Sequence, residues 1–301
     1  MNDRDPVDQE LITLRVPTHS DFIVHWTGHD IAKNHRIRRI NERSYAAEAV
    51  NDYLERLLNI LKYGLWLRKR KEEDYVHLRS GKIRKPNVAR VCFTELKLSD
   101  SHLHARNFGA LGIGVKRYFL LNRFGAPMHY VHDTPNLFLP PNSTLFDPRS
   151  PDYELLSFFK NMSSRRNVQK YIDYDLYEES EWRIVFSENI RKRIPTSKVQ
   201  RYFIDPRDPA TGKYHEFYNS LPVDTRPDYL TPLDEWTALI IYPNLQIKNA
   251  ACENQEIRNE LQKLKSADKA RNPGSIVAEG CPDNEITNQV MEIEIGAIRN
   301  F

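Results

Sequence analysis

The sequence predicts an α+β fold, with mixed, mostly antiparallel sheets and flanking helices. Short apolar stretches at residues 22–26, 88–95, 112–115, 128–131, 181–186, 201–204 and 238–242 read as strands. Helical periodicity is confined to residues 44–62, 153–162 and 254–265. No internal repeat, heptad run or convincing linker divides the chain. One domain over residues 1–301 follows: an irregular lead-in at 1–20, a core at 22–245, and a C-terminal helix and strand addition at 246–301.

In order, the first strand is F-I-V-H-W, ended by Thr27-Gly28. The helix at 44–62 places Val50, Tyr53, Leu54, Leu57, Leu58 and Leu61 on one side, with Gly64 where a left-handed cap belongs. Residues 67–87 are charged and aperiodic, and read as a long loop or flap. In the strand at 88–95, Val91, Phe93 and Glu95 share one face, and Arg90, Cys92 and Thr94 the other. A short polar turn holding His102 and His104 follows. Gly109, Gly112 and Gly114 are wrongly spaced for a dinucleotide fingerprint and mark close backbone packing. A proline-rich stretch at 135–151 precedes the helix at 153–162, where Tyr153, Leu156, Phe159 and Met162 are in phase. After the strand E-W-R-I-V-F come those at 201–204 and 238–242. The last helix carries Ile257, Leu261 and Leu264, and the tail ends in a strand-like M-E-I-E-I at 291–295.

Hydrophobic residues make up 40% and charged residues 28%, an ordinary balance for a globular protein with a sizeable core. No long apolar run offers a membrane span, and the polar start M-N-D-R-D is not that of a signal peptide. Cys92, Cys252 and Cys281 form no C-x-x-C pair, which argues against a disulfide framework or cysteine-rich metal site and places the chain in a reducing cytoplasm. Net charge is only +3, yet basic residues clump at 36–39, 68–71, 79–85 and 191–193. Such a face could meet nucleic acid or a dinucleotide, or could be solvated loop neutralised by Glu72, Glu73 and Asp74.

Three constellations carry chemistry. His25 and Thr27 alternate on a strand and share a side, so together they could hold a ribose hydroxyl and an amide; a buried histidine satisfied by a carbonyl is the plainer alternative. Glu95 with His102 and His104 could form an acid–base group, but no third and fourth ligand makes a metal site. Glu181, opening a strand two residues before Arg183, could bind a ribose hydroxyl and steady a cationic sugar; pairing with Arg183 is the structural alternative.

The order H-W-T, L-x-x-I-L-x-x-G-L, V-C-F-T-E-L, His104, F-G-A-L-G-I-G-V-K-R, G-A-P-M-H-Y-V and E-W-R-I resembles the AbiGi family of bacterial abortive-infection systems against phage. The likeness covers roughly residues 22–245, and its most specific part is C-F-T-E…H…F-G-x-x-G-I-G. A weaker likeness is to ADP-ribosyltransferases of the DarT-like kind, which modify nucleic acid. That likeness implies an ADP-ribosyltransferase-like core using NAD as substrate. Glu181 and His25 would be catalytic, while His25, Thr27, Arg90 and His104 would contact NAD, with Arg90 at the diphosphate. Glu95 has no certain counterpart there. The acceptor would be a macromolecule, RNA or DNA among the candidates, and no metal is implied. The family is described as the antitoxin side of a two-gene system, so the rival expectation is a non-enzymatic antitoxin that neutralises a cognate toxin. A metal-independent nuclease built on His102, His104 and Glu95 is a third.

Overall fold

The computed structural model describes residues 22–37, 42, 44–71, 74–78, 81–95, 101–131, 144–161, 165–167, 172–174, 180–271 and 290–300. The lead-in at 1–20, most of the proline-rich stretch and Met162 lie outside them. The strands are β1 (Phe22–Thr27), β2 (Leu65–Leu67), β3 (Tyr75–Leu78), β4 (Gly81–Arg84), β5 (Ala89–Thr94), β6 (Leu111–Lys116), β7 (Ala126–Pro127), β8 (His129–Val131), β9 (Phe159–Asn161), β10 (Arg165–Asn167), β11 (Ile172–Tyr174), β12 (Glu181–Phe186), β13 (Tyr229–Thr231), β14 (Thr237–Tyr242) and β15 (Met291–Glu294). The helices are α1 (His29–Asn34), α2 (Ala47–Tyr63), α3 (Ser101–Phe108), α4 (Arg117–Leu121), α5 (Glu188–Arg193), α6 (Thr196–Tyr202), α7 (Lys213–Ser220), α8 (Leu245–Glu253) and α9 (Gln255–Arg271).

One seven-stranded sheet, ordered β15–β14–β6–β1–β5–β12–β7, organises the molecule. All its pairings are antiparallel except β14 with β15. The fold is therefore α+β and mostly antiparallel, as the scattered short strands predict. One face is mainly apolar: Ile23, Val91, Phe93, Ile113, Ile184 and Ile240 pack with Tyr53, Leu57 and Leu61 of α2 and with Ile247 and Ile257 of the later helices. Burying that many branched side chains is the main source of stability. The other face is divided. Over β1, β6 and β14 it is apolar, with Val24, Trp26, Leu239 and Ile241 covered by Ala105 and Ile298. Over β5 and β12 it carries Arg90, Thr94, Glu181 and Arg183, all buried.

Gly64 ends α2 at φ 91° and ψ −175°, a conformation open only to glycine, rather than in the left-handed helical cap expected. Its N–H donates to Ile60 O at 2.8 Å. Gly112 and Gly114 do serve close packing: a Cβ on Gly114 would lie 2.7 Å from Leu239 Cβ.

Four sequence expectations are corrected. The described residues of 67–87 are no loose flap: Leu67 of β2 pairs with β13, β3 pairs with β4, and Val76 is fully buried. His102 and His104 lie on helix α3, where residues two apart diverge by roughly 200° around the axis. The segment 151–158 is a 3-10 run, started by Ser150 accepting from the Asp152 N–H. Residues 196–202 are helix α6, and only Ile204 bridges to Leu230.

Candidate functional site

Register decides which side chains meet. Across β5 and β12, Thr94 stands opposite Glu181, Cys92 opposite Arg183, and Arg90 opposite Val185. Cross-strand partners share a face, so these six line the polar half of the second face. Val24 of β1 stands opposite Thr94, so His25 aligns with Phe93 on the apolar face. The ring contact of His25 with Phe93, at 5.8 Å between centroids, agrees. Glu181 and His25 therefore point to opposite sides of the sheet. The two residues expected to be catalytic together are therefore not brought to one side, because a strand's period of two puts them out of phase.

On the polar face, Glu181 is held on both oxygens. Arg183 Nε donates to Oε1 at 2.6 Å and Lys160 Nζ to Oε2 at 2.8 Å. The Glu181 N–H donates to Tyr130 Oη at 2.9 Å, and Arg183 Nη1 donates to Ser157 O at 2.6 Å. Burial alone would raise the Glu181 pKa, but the Arg183 and Lys160 charges hold it well below the usual carboxylate range. Cys92, between them, is pushed up to about 11 by burial and the Glu181 charge, so it stays a thiol. His104, fully buried on α3, brings its Nδ1 within 3.4 Å of Thr94 Oγ1 and stacks on Phe108. It thus flanks the same row as Glu181.

Four residues along β5 lies Arg90, roughly 13 Å from the Glu181 row at strand spacing. It borders a cavity of about 200 Å³ lined by Arg70, Lys71, Asp74, Arg84, Lys85, Pro86, Asn87 and Arg90. Asp74 is the hub: Lys85 Nζ approaches at 3.2 Å, Arg70 at 3.3 Å and Arg90 at 3.5 Å. Three cations thus converge on one carboxylate. Burial brings Lys85 down to about 8, only partly offset by Asp74. Burial also brings Arg90 down to about 10, reinforced by the Arg183 and Arg70 charges. The surplus positive charge in a small recess is what an anionic group would neutralise.

His25 and Thr27 lie together on the other side of the sheet, lining a separate cavity. The His25 Nδ1–H donates to Cys92 O at 2.9 Å, and Thr27 Oγ1 accepts from Arg56 at 3.0 Å. Glu181, Arg90 and His104 are not among the residues that line that cavity. In the expected acid–base set, Glu95 and His104 are not brought together either. Glu95 shares the Trp182 face, where its Oε2 accepts from Trp182 Nε1 at 2.6 Å and its Oε1 meets Arg117, while His104 packs on the opposite face.

Sequence reasoning missed Asp74, Lys85, Lys160 and Tyr130. Asp74 and Lys85 were legible in part, since both fall in the basic stretch 68–85, where Asp74 reads with Glu72 and Glu73 as a neutralising acid. Lys160 and Tyr130 sit on three-residue strands, β9 and β8, that pair with each other outside the main sheet, and nothing local marks them.

Fold and site together describe an α+β protein with a buried carboxylate–guanidinium pair beside a cationic recess. The chain matches no family model, no curated protein and no solved structure.

Proposed function

We propose that the chain is an NAD-consuming ADP-ribosyltransferase of an anti-phage abortive-infection system, working from the β5–β12 face. The observation that carries this reading is the placement of the Arg90 recess and the ionised Glu181 carboxylate on the same side of the same two strands. NAD would lay its diphosphate against Arg90 and Lys85 and its nicotinamide ribose toward Glu181. Lys160, on the peripheral strand β9, is the partner that a ribose 2′-hydroxyl would displace, leaving Arg183 to keep the carboxylate charged. The bond from the ribose anomeric carbon to nicotinamide nitrogen then breaks, nicotinamide leaves neutral, and an acceptor nucleophile takes the ribosyl carbon and loses its proton. A fixed negative charge beside the sugar stabilises that cationic transition state. His104, flanking Thr94, is the remaining expected contact residue on this face; His25 and Thr27 have no part in this arrangement.

The experiment is incubation of the pure protein with radiolabelled NAD and RNA, DNA or protein. Labelled acceptor, lost in folded Glu181→Gln, supports the reading; intact NAD with unlabelled acceptors ends it.

A second reading has its own observation: both Glu181 oxygens are already satisfied inside the protein. Under it the chain is a non-enzymatic antitoxin that binds a cognate toxin, and Glu181→Gln costs stability only. Growth on induction separates the two, since a harmless chain that rescues cells from a neighbouring gene is an antitoxin.

A further inference from the structure

A second recess lies on the face that the reading of Glu181 leaves unused. It has a volume of about 590 Å³, within the range of small-ligand sites, and opens between β1, α1, α2, β2 and residues 221–225. Its chemistry is the reverse of the Arg90 recess. Asp30, Asp52 and Glu55 outnumber Arg56 and Arg68. Both guanidiniums are already engaged, Arg56 by Asp30 at 2.6 Å and Arg68 by Asp224 O at 2.8 Å. With three carboxylates against two guanidiniums, the walls favour a neutral ligand over a phosphate.

Three groups define what fits. The His25 Nδ1–H is committed to Cys92 O, so in the neutral ring Nε2 is left as an acceptor. Burial, with the nearby Arg56 charge, lowers the His25 pKa against the raising effect of the Cys92 bond, which keeps the ring neutral. Trp66 supplies a half-buried aromatic wall, braced edge-on by Phe217 at 5.8 Å. Glu55 stands exposed on the rim, one turn of α2 from Asp52, and carboxylates bind vicinal hydroxyls through charge-assisted hydrogen bonds.

We infer that this cavity binds a nucleoside lacking a phosphate, its amino-bearing base against Trp66 and His25 and its ribose hydroxyls toward Glu55. The exocyclic amine donates to His25 Nε2, and the apolar wall of Ile60, Leu65 and Leu221 covers the base. This stands independently of the NAD reading, because no residue of the Glu181 face lines the cavity.

Calorimetric titration of the full chain with adenosine and cytidine tests it. Adenosine or cytidine binds one to one, and saturating inorganic phosphate leaves that binding unchanged. AMP binds at least about tenfold more weakly than adenosine, and inosine, which offers a carbonyl where adenosine offers an amine, also weakens by about tenfold. Glu55→Ala, at an exposed position that does not carry the fold, weakens adenosine about tenfold but leaves 2′,3′-dideoxyadenosine unchanged. The inference is overturned if neither nucleoside saturates at millimolar concentration. It is equally overturned if AMP or inosine binds as well as adenosine, or if Glu55→Ala changes nothing.

Discussion

Arg183 reaches back two residues along its own strand to hold Glu181, Nε to Oε1 at 2.6 Å, with both side chains almost completely buried. Positions i and i+2 share a strand face, so the pair needs no help from tertiary structure to meet. Tertiary structure supplies the rest: Lys160 on the second oxygen, Ser157 O on the guanidinium, and the Arg90 cluster further along the face. The Glu181 carboxylate is the counter-charge for two cations at once.

Replacing Glu181 by Gln should therefore cost about 3–5 kcal/mol, because Arg183 is left as an uncompensated buried charge. Urea denaturation measures it, and adding Arg183→Met to Glu181→Gln should recover part of the loss. The pH dependence has a definite sign. The folded carboxylate titrates below its ordinary 4.5, so its contribution is complete above that value and is lost as pH falls into the acid range. Activity measured on folded Glu181→Gln at low temperature then separates chemistry from stability.

Anion binding at the Arg90 recess should weaken as pH rises through about 8, where Lys85 gives up its proton. Titration with inorganic pyrophosphate at pH 6.5 and 9.5 reads this as a loss of affinity that Lys85→Met abolishes. Stability moves the other way. Between about 8 and the ordinary 10.5 the unfolded chain holds the Lys85 proton that the folded chain has lost, so this group makes stability rise with pH there. Affinity that is flat across both pH values would remove Lys85 from the site.

How much of this was legible depended on whether the signal was local. The strand pattern of 88–95 and 181–186 put Arg90 with Cys92 and Thr94, and Glu181 with Arg183, on common faces before any pairing was known. The mutual register of β1 and β5 was not legible, and one residue of phase decides whether His25 joins Glu181 or turns away from it. The hairpin of β3 and β4 was hidden by its charge: Val76 and Ile83 are its only aliphatic residues away from the turn, too few to show a period. The turn holding His102 and His104 reads as polar, yet it folds as α3 because Ala105 docks against Trp26 and Ile241.

Arg123 is a further buried cation whose loss should be felt, away from the site. Its guanidinium donates to Thr231 Oγ1, Phe119 O, Pro232 O and Asp234 Oδ2 at 2.8–3.0 Å, and lies 3.6 Å over the Phe119 ring. Arg123→Met leaves the Asp234 carboxylate buried without its partner and should cost about 3–5 kcal/mol in thermal or urea unfolding. Arg123→Lys should recover little, because an ammonium cannot reproduce a planar fork that serves four acceptors. Adding Asp234→Asn to Arg123→Met should return part of the loss by removing the stranded charge.

Gly64 tests the link between fold and the nucleoside cavity. A Cβ there would sit 2.2 Å from Thr231 O at a backbone φ of +91°, so Gly64→Ala must displace the β13 backbone as well as strain its own. The expected cost is more than about 2 kcal/mol, since the strain of one unfavourable φ and a backbone collision add. Thr231 pairs with Leu65, and Leu230 with Trp66, so the displacement falls on the strand that walls the cavity. Adenosine binding should weaken more in folded Gly64→Ala than pyrophosphate binding, whose recess β2 reaches only through the Arg68–Arg90 bridge. Equal loss of both would mean that the substitution disturbs the whole sheet rather than the β2–β13 edge.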